Sequence, residues 1–596
     1  MSGNLLMREI GFTLRSCHPS YWRADKRHSL FSKGYDIVIW MARRKHSPQI
    51  ISIGLSVSAS LILGVIALMW VSEMMGSLFR YRSPLHLQPP QPGVGSGVRS
   101  TRRLVLILVD GLRLDTAQNP QVMPYLNQLR QRGASAAMHS RPPSYSQPGY
   151  ATLLVGAWPE LHDAPVMNLE EDEIPVFSQD NLFSAVRRAG LQTAIAGYSW
   201  FEMLVPQQDV SIAFYTSGDD KLADEAVVQA ALPWLESDDY HFVLIHLDQV
   251  DYAGHHEGGP LDPRWNQAAQ RADELIRKIA TRLDLTQDTL LVVSDHGHIS
   301  SGGHGGDEPE VLTEPFILVG AGIIPGEYGG VQMVDVAPTI AALLGANLPA
   351  ASQGRALTEM LELTPEQRAV LEARTAAQQA ELLMAYGRGI GEEVEKPAQL
   401  SVEAWQQALN DARMHRLRRE RWSRQALALG VVLLAVAFVS WRRKSISPWM
   451  IVCALLYPLL FHLRYAVLDG LPYSLSWMSS ARVFLTSLTS AVLFAFSISG
   501  VIFLLGRRLY QRPISQALSE VFGFTLGVAL LQALPALYSF VLNGAWASWT
   551  LPDMRSYYLA FISLIQIPVV SLSGLALAGV SALAAWLGRH LFGRVA

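Results

Sequence analysis

Polar residues that follow short apolar runs are where this chain has the means for chemistry. Asp110 closes LVLILVDG (104–111), and Asp251 and His255 lie in LDQVDYAGHH just after FVLIHLD (242–248). Asp295 and His296 close LLVVSDHG (290–297), and His304 follows in GGHGG. Six His and Asp side chains from three distant segments are enough for two divalent metals, each with a position left for substrate. Nitrogen and oxygen donors of this kind suit zinc, with manganese or magnesium as alternatives. Paired metals about 3.5–4 Å apart suit in-line displacement at phosphorus. With only Cys17 and Cys453, the chain has neither a disulfide scaffold nor a Cys-rich zinc module.

Such a centre calls for a nucleophile. In PPSYSQPGYATLLVG (142–156) a hydroxyl stands directly before Gln147-Pro148-Gly149, where a helix is expected to begin. The free N–H groups of a helix N-terminus favour an anion and lower the cost of an alkoxide. Ser146 fits that position best and Ser144 is the second candidate. Arg113 is a candidate phosphate contact, since a guanidinium matches phosphate oxygens, or else a helix-surface salt bridge. Tyr150 is a further candidate for substrate contact. His256 reads as a neighbour of a ligand rather than as one. Tyr198, Trp200 and Phe201 read either as a stacking surface for a headgroup or as packing under a loop.

The elements that must position these residues alternate. The runs at 104–111, 193–198, 242–248, 290–297 and 316–320 read as buried parallel strands, with helical stretches at Leu126–Arg132, Leu182–Arg188 and Asn266–Leu283 between them. The pattern predicts an α/β domain, a doubly wound and mostly parallel sheet with helices on both faces. Ligands of such sheets bind at the carboxyl ends of the strands, where the six His and Asp residues fall.

Composition sets the surroundings. At 596 residues the chain exceeds the roughly 250–300 residues of a single core. It is 50% hydrophobic and 17% charged, against about 25% charged in soluble domains. A formal net charge of −3 excludes a polycationic nucleic-acid binder. Ile50–Val71 is an uncharged apolar stretch long enough to cross a bilayer, preceded by Arg43, Arg44 and Lys45. It reads as an anchor rather than a cleaved signal; Met41 is an alternative start. A second apolar block offers spans at Gln425–Trp441, Trp449–Leu468, Val483–Gly506, Val521–Leu542 and Tyr558–Leu587. His462 and Arg464 interrupt the second of these, as a lipid-phosphate contact or a misplaced span end. The positive-inside bias of Arg43–Lys45, Arg442–Lys444, Arg507–Arg512 and Arg589–Arg594 predicts six spans, a cytoplasmic N-terminus and an outward-facing domain. The basic run Arg416–Arg424 falls on the outward side, either along headgroups or as a solvated face. The expected organisation is 1–49 cytoplasmic, 50–71 anchor, 72–100 Pro/Gly-rich linker and 101–363 catalytic domain. A helical connector over 364–424 and an all-α membrane domain of about five helices over 425–596 follow.

Taken together, VDGLR (109–113), SxP with an apolar helix after it (146–156), DxxGH (251–255) and SDHG…GGHGGD (294–307) resemble the alkaline phosphatase superfamily. Within its phosphodiesterase and nucleotide-pyrophosphatase branch, the set is similar to the GPI ethanolamine phosphate transferase family. The resemblance implies one metal on Asp110, Ser146, Asp295 and His296 and another on Asp251, His255 and His304. It implies that Ser146 attacks phosphorus and forms a covalent phospho-enzyme before the incoming hydroxyl or water is activated. The chain departs from the transferases in having Tyr150 where they often carry His after Pro-Gly, and in a shorter membrane portion.

The expected function is a membrane-anchored, two-metal phosphotransferase or phosphodiesterase acting on a phospholipid or lipid-linked substrate, phosphoethanolamine being the headgroup the resemblance implies. A phosphohydrolase of the same superfamily is the alternative. A sulfatase is disfavoured because Ser146-Gln147-Pro148-Gly149-Tyr150 lacks the Arg of C/S-x-P-x-R. A non-catalytic membrane protein would have lost a ligand, and none is lost. A dinucleotide-binding reading fails because no GxGxxG follows the first strand. The oligomeric state is left open.

Overall fold

The computed structural model of the protein describes residues 48–395, 397, 401–441, 443, 446–479 and 481–591. The expected cytoplasmic segment up to residue 47, with Cys17, Met41 and Arg43–Lys45, lies outside the described residues, as do Arg442, Lys444 and 592–596.

The soluble domain is built on one sheet. Its strands are β1 Arg103–Val109, β2 Ala134–His139, β3 Thr193–Tyr198, β4 Ile212–Thr216, β5 Phe242–Leu247, β6 Asp288–Val293, β7 Thr313–Gly320, β8 Gly326–Glu327 and β9 Val331–Gln332. The order is β4-β3-β5-β1-β6-β7-β2-β8, with β9 beside β2. The five strands β4 to β6 are parallel to one another. Along β1, Leu104, Leu106 and Leu108 face one helical layer, while Val105, Ile107 and Val109 face the other. All six are buried, and each contributes roughly 1.5–3 kcal/mol relative to exposure. Two covered faces are what a continuous apolar strand requires, so the fold is the expected mixed, mainly parallel α/β sheet.

One expectation needs correcting. The run at 316–320 lies in β7, which pairs antiparallel with both β6 and β2. The loop joining β6 to β7 contains no helix, so it leaves and re-enters the sheet at the same edge. Without a crossover the next strand must run back. That loop carries His296 and His304.

Nine helices matter for the site and its support. α1 is Pro48–Phe79, α2 Ser146–Val155, α3 Gln249–His256, α4 Pro365–Ile390, α5 Val402–Trp441, α6 Pro448–His462, α7 Ala481–Gly506, α8 Ile514–Asn543 and α9 Met554–Leu591. Six are long and apolar enough to cross a membrane: α1, α5, α6 with the turn that follows it, α7, α8 and α9. The protein is an integral membrane protein. α1 does not stand alone, because Ala67, Val71, Met74 and Leu78 share one buried core with α6 to α9. Trp70 Nε1 donates to Ala545 O at 2.8 Å.

Between soluble domain and bundle run two long helices. α4 starts with Thr364 accepting from Gln367 N, with Pro365 in the first turn, and stops at Gly391 in the left-handed region (φ 63°). α5 continues for 40 residues without a break, because neither Gly nor Pro occurs between 402 and 429. It therefore runs through 424–425, where composition alone suggests a boundary. Arg416 and Arg424 on it pair with Glu420 at 3.0 and 2.5 Å, and Arg421 donates to Leu542 O at 3.2 Å. Arg416, Arg421 and Arg424 of the basic run are thus held by protein partners. His462 ends α6 and Arg464 lies in the turn after it, where His462 Nδ1 meets Tyr473 OH at 2.5 Å and Arg464 pairs with Asp469.

Candidate metal centre and active site

The carboxyl edge of β1, β5 and β6 gathers the polar residues. β1 delivers Asp110, and Gly111 follows with φ 71°, so closely packed that a Cβ there would stand 2.8 Å from His298 Nε2 and 3.1 Å from Asp251 Cα. Gly111 N donates to Asp295 Oδ1 at 3.3 Å and Leu112 N to Ser294 Oγ at 2.9 Å, tying the ends of β1 and β6. β5 runs into α3, which carries Asp251 and His255 one turn apart on one face. α2 begins at Ser146. Its first turn lies directly over Asp295, so close that a Cβ on Gly149 would stand 2.8 Å from Asp295 Cβ.

In one half of the site, His296 Nε2 lies 3.3 Å from each of Asp110 Oδ1, Asp295 Oδ2 and Ser146 Oγ. His296 Nδ1 faces Gly297 O at 3.2 Å and so carries the proton. Its Nε2 then presents a lone pair to two carboxylate oxygens that are buried and have no hydrogen-bond partner among the described residues. Acceptors facing acceptors in a dry site fit a cation, which is what this set of donors binds. Burial, reinforced by Asp110 and Asp251, pushes the Asp295 carboxyl well above the ordinary carboxylate range, a cost a cation would reverse.

The other half holds Asp251, His255 and His304. His255 Nε2 and His304 Nε2 are 2.9 Å apart, and each lies 3.5 Å from an Asp251 oxygen. His304 Nδ1 donates to Ser144 O at 2.9 Å, leaving its Nε2 lone pair for the cluster. Burial, then the neighbouring His296, holds His304 well below the usual imidazole value, in the neutral form that ligates. Its ring stacks on that of His296 at 3.8 Å, so the two halves touch.

All six His and Asp residues expected from the sequence therefore meet here, with Ser146 beside them. Ser144 is committed elsewhere: its Oγ donates to Gly306 O at 2.9 Å and accepts from Gly305 N at 3.1 Å. Tyr150 faces no open space. Only 1% exposed, it donates to Asp110 Oδ2, meets His246 Nε2 at 2.9 Å and stacks on Phe201 at 4.6 Å. Its expected substrate contact gives way to a structural one, because the phenol is already spent on Asp110. Arg113 is likewise engaged, by Asp115 at 2.9 and 2.5 Å and by His298 O at 3.3 Å, which is the salt-bridge reading. Phe201 is core and Trp200 packs edge-on against Tyr198, so these aromatics read as packing.

Three residues here were not among the candidates. His298 accepts from Gly303 N at Nδ1 (3.0 Å) and donates from Nε2 to Asp251 Oδ1 (2.8 Å). Both nitrogens are used, so it orients Asp251 and has no lone pair for a metal. His246 lies 3.1 Å from Asp110 Oδ2. Asp224 accepts from Asp248 N, Gln249 N and Gln249 Nε2 at 2.7, 3.3 and 2.8 Å, fixing the start of α3. A histidine inside an otherwise apolar strand (FVLIHLD) and a second one in SDHGHIS were the available signals, since a buried imidazole needs a partner.

Residues 104–302 match the family model described as Type I phosphodiesterase / nucleotide pyrophosphatase. The chain is similar to human GPI ethanolamine phosphate transferase 2, catalytic subunit, with 28% identity over 307 residues, 47% of this chain and 31% of that protein. It is 29% identical to human GPI ethanolamine phosphate transferase 3, catalytic subunit, over 43% of this chain and 26% of that one. It is 26% identical to GPI ethanolamine phosphate transferase 2 of Candida albicans, over 45% and 33%. The matched part thus spans about a third or less of the length of these relatives. Human ectonucleotide pyrophosphatase / phosphodiesterase 5 superposes with a TM-score of 0.33 at 15% identity, covering 41% of this chain and 95% of that one. The similarity implied by the motifs is the one these comparisons find.

Proposed function

We propose that the protein transfers a phosphoethanolamine group from a phospholipid to a hydroxyl of a lipid-linked acceptor of the GPI type, through Ser146. The observation that carries the reading is the seat of Ser146: the first residue of α2, with its Oγ 3.3 Å from His296 Nε2 beside two carboxylate oxygens without a hydrogen-bond partner among the described residues. The relatives named for the same transfer support it.

Asp110, Ser146, Asp295 and His296 would hold one divalent cation and Asp251, His255 and His304 another, zinc fitting the donors best and manganese or magnesium being alternatives. Bound there, the cations would lower the cost of a serine alkoxide and offset charge on the phosphate oxygens. The chain's own residues do the rest. Ser146 stands at the positive, N-terminal end of the α2 dipole, which favours a negative charge there. In the first step the Oγ–P bond forms, the bond from phosphorus to the diacylglycerol oxygen breaks, and that oxygen takes up a proton. In the second, the acceptor oxygen bonds to phosphorus, Ser146 Oγ leaves, and the acceptor's proton is released. The catalytic domain faces away from the cytoplasm in this reading, as the basic residues near the other helix ends imply.

Intact-mass analysis after incubating the zinc-loaded protein with phosphatidylethanolamine tests this. The expected result is a phosphoethanolamine adduct on Ser146 that is absent from Ser146→Ala. A bare phosphate adduct would replace transfer by hydrolysis. Adduct formation that persists in Ser146→Ala would move the nucleophile elsewhere.

A further inference from the structure

The outer end of the membrane bundle reaches into the site. After α6 the chain makes a turn over Leu463–Leu468 and then a short segment ending at Ser479, just before α7. Ser476 in this segment is completely buried; it accepts from Gly306 N at 3.0 Å and donates to Glu308 Oε2 at 2.7 Å. Ser474 packs so tightly alongside that a Cβ on Gly306 would fall 1.7 Å from its Oγ.

Gly306 belongs to the loop that presents His304. Its carbonyl accepts from Ser144 Oγ at 2.9 Å, and Ser144 O accepts from His304 Nδ1 at 2.9 Å. A continuous path of hydrogen bonds therefore links Ser476 to a metal-ligand candidate, and Ser144 stands two residues before Ser146. A second contact supports the same segment independently. The Tyr145 ring packs on the buried core of the bundle and meets the His304 ring edge-on at 5.5 Å. Gly305 leaves it no slack, since a Cβ there would be 2.4 Å from Tyr145 Cζ.

We propose that Ser476 is a positioning residue: through it, the membrane bundle sets both the His304 loop and the Ser144–Ser146 segment. The bundle is then a wall of the reaction centre and not only its anchor. Through Ser144, this path fixes the tautomer of His304 that leaves Nε2 free, as supporting hydrogen bonds to ligating imidazoles do. The inference rests on the function proposed above.

The test uses the full-length protein in detergent with a soluble probe, bis(4-nitrophenyl) phosphate, which has no acyl chain, and measures zinc retained against a chelator. Ser476→Ala is expected to lower kcat on the probe about 10-fold at unchanged KM, about 1.4 kcal/mol of barrier, and to release zinc more readily. Ser476→Cys keeps the shape, weakens both hydrogen bonds, and should fall between; it carries the test if the alanine variant does not fold. Unchanged probe turnover and zinc retention, with loss confined to phosphatidylethanolamine, would overturn the proposal in favour of lipid recognition by this segment. If the wild-type protein turns over neither substrate, the function reading fails, and zinc retention alone decides the role of Ser476.

Discussion

At the scale of single residues the site is a problem of acceptors. Asp110, Asp295, His296 Nε2 and Ser146 Oγ crowd one another with few protons between them, and the surrounding hydrogen bonds decide which lone pairs stay free. Tyr150 is the least replaceable of these supports. It donates to Asp110 from a fully buried position that His246 shares, so removing its hydroxyl frees the carboxylate to turn. Tyr150→Phe should keep the fold and weaken zinc binding roughly 10–100-fold, in the range for lost supporting contacts of metal ligands. Chelator competition measures it, and unaltered affinity would show that Asp110 needs no such partner. The ligand candidates were legible because each ends or follows a strand. His298 and His246 were not, because their roles depend on which atom lies across from them in space.

Elements account for how those residues are held, and α3 shows it best. Asp224 accepts from the first N–H groups of this helix, and burial pushes its carboxyl up to about 7 against those donors. The folded-state value lies above the unfolded one of 3.8, so the folded protein binds the extra proton between them. Stability from this group is full below the lower value and is lost as pH rises through about 7. The melting temperature should therefore fall between about pH 4 and 7, and Asp224→Asn, neutral throughout, should flatten that fall. An identical slope in the variant would remove Asp224 as its source. Strands β1, β3, β5 and β6 were readable as apolar runs, whereas the direction of β7 was not, because a run of buried residues looks the same from either end. β2 escaped notice for a different reason: ASAAMH is small and Ala-rich, with no β-branched residue to mark a strand. The continuity of α5 was hidden by composition, which changes from charged to apolar along a helix that nothing interrupts.

For the whole molecule, the membrane helices and the soluble domain form a joined body. Arg82 and His86, just beyond α1, grip Asp163 at 2.7 and 2.9 Å, and Trp549 in the α8–α9 turn donates to Glu420 of α5 at 3.0 Å. Together with Ser476 on Gly306 and Glu308, these contacts put the α6–α7 and α8–α9 connections on the side of the catalytic domain, so that the α7–α8 connection, one span away, is expected on the other. A cysteine at Asp553 should react with an impermeant reagent from the catalytic side and one at Gln511 from the opposite side, in a background lacking Cys17; Cys453 is buried. Labelling of both from one side would break the arrangement of six spans. The close fit of Ser474 against Gly306 has a consequence for engineering. Two stretches 168 residues apart fit each other as one packing unit, so a catalytic domain grafted onto a foreign membrane bundle should work only when 304–308 and 474–476 travel together.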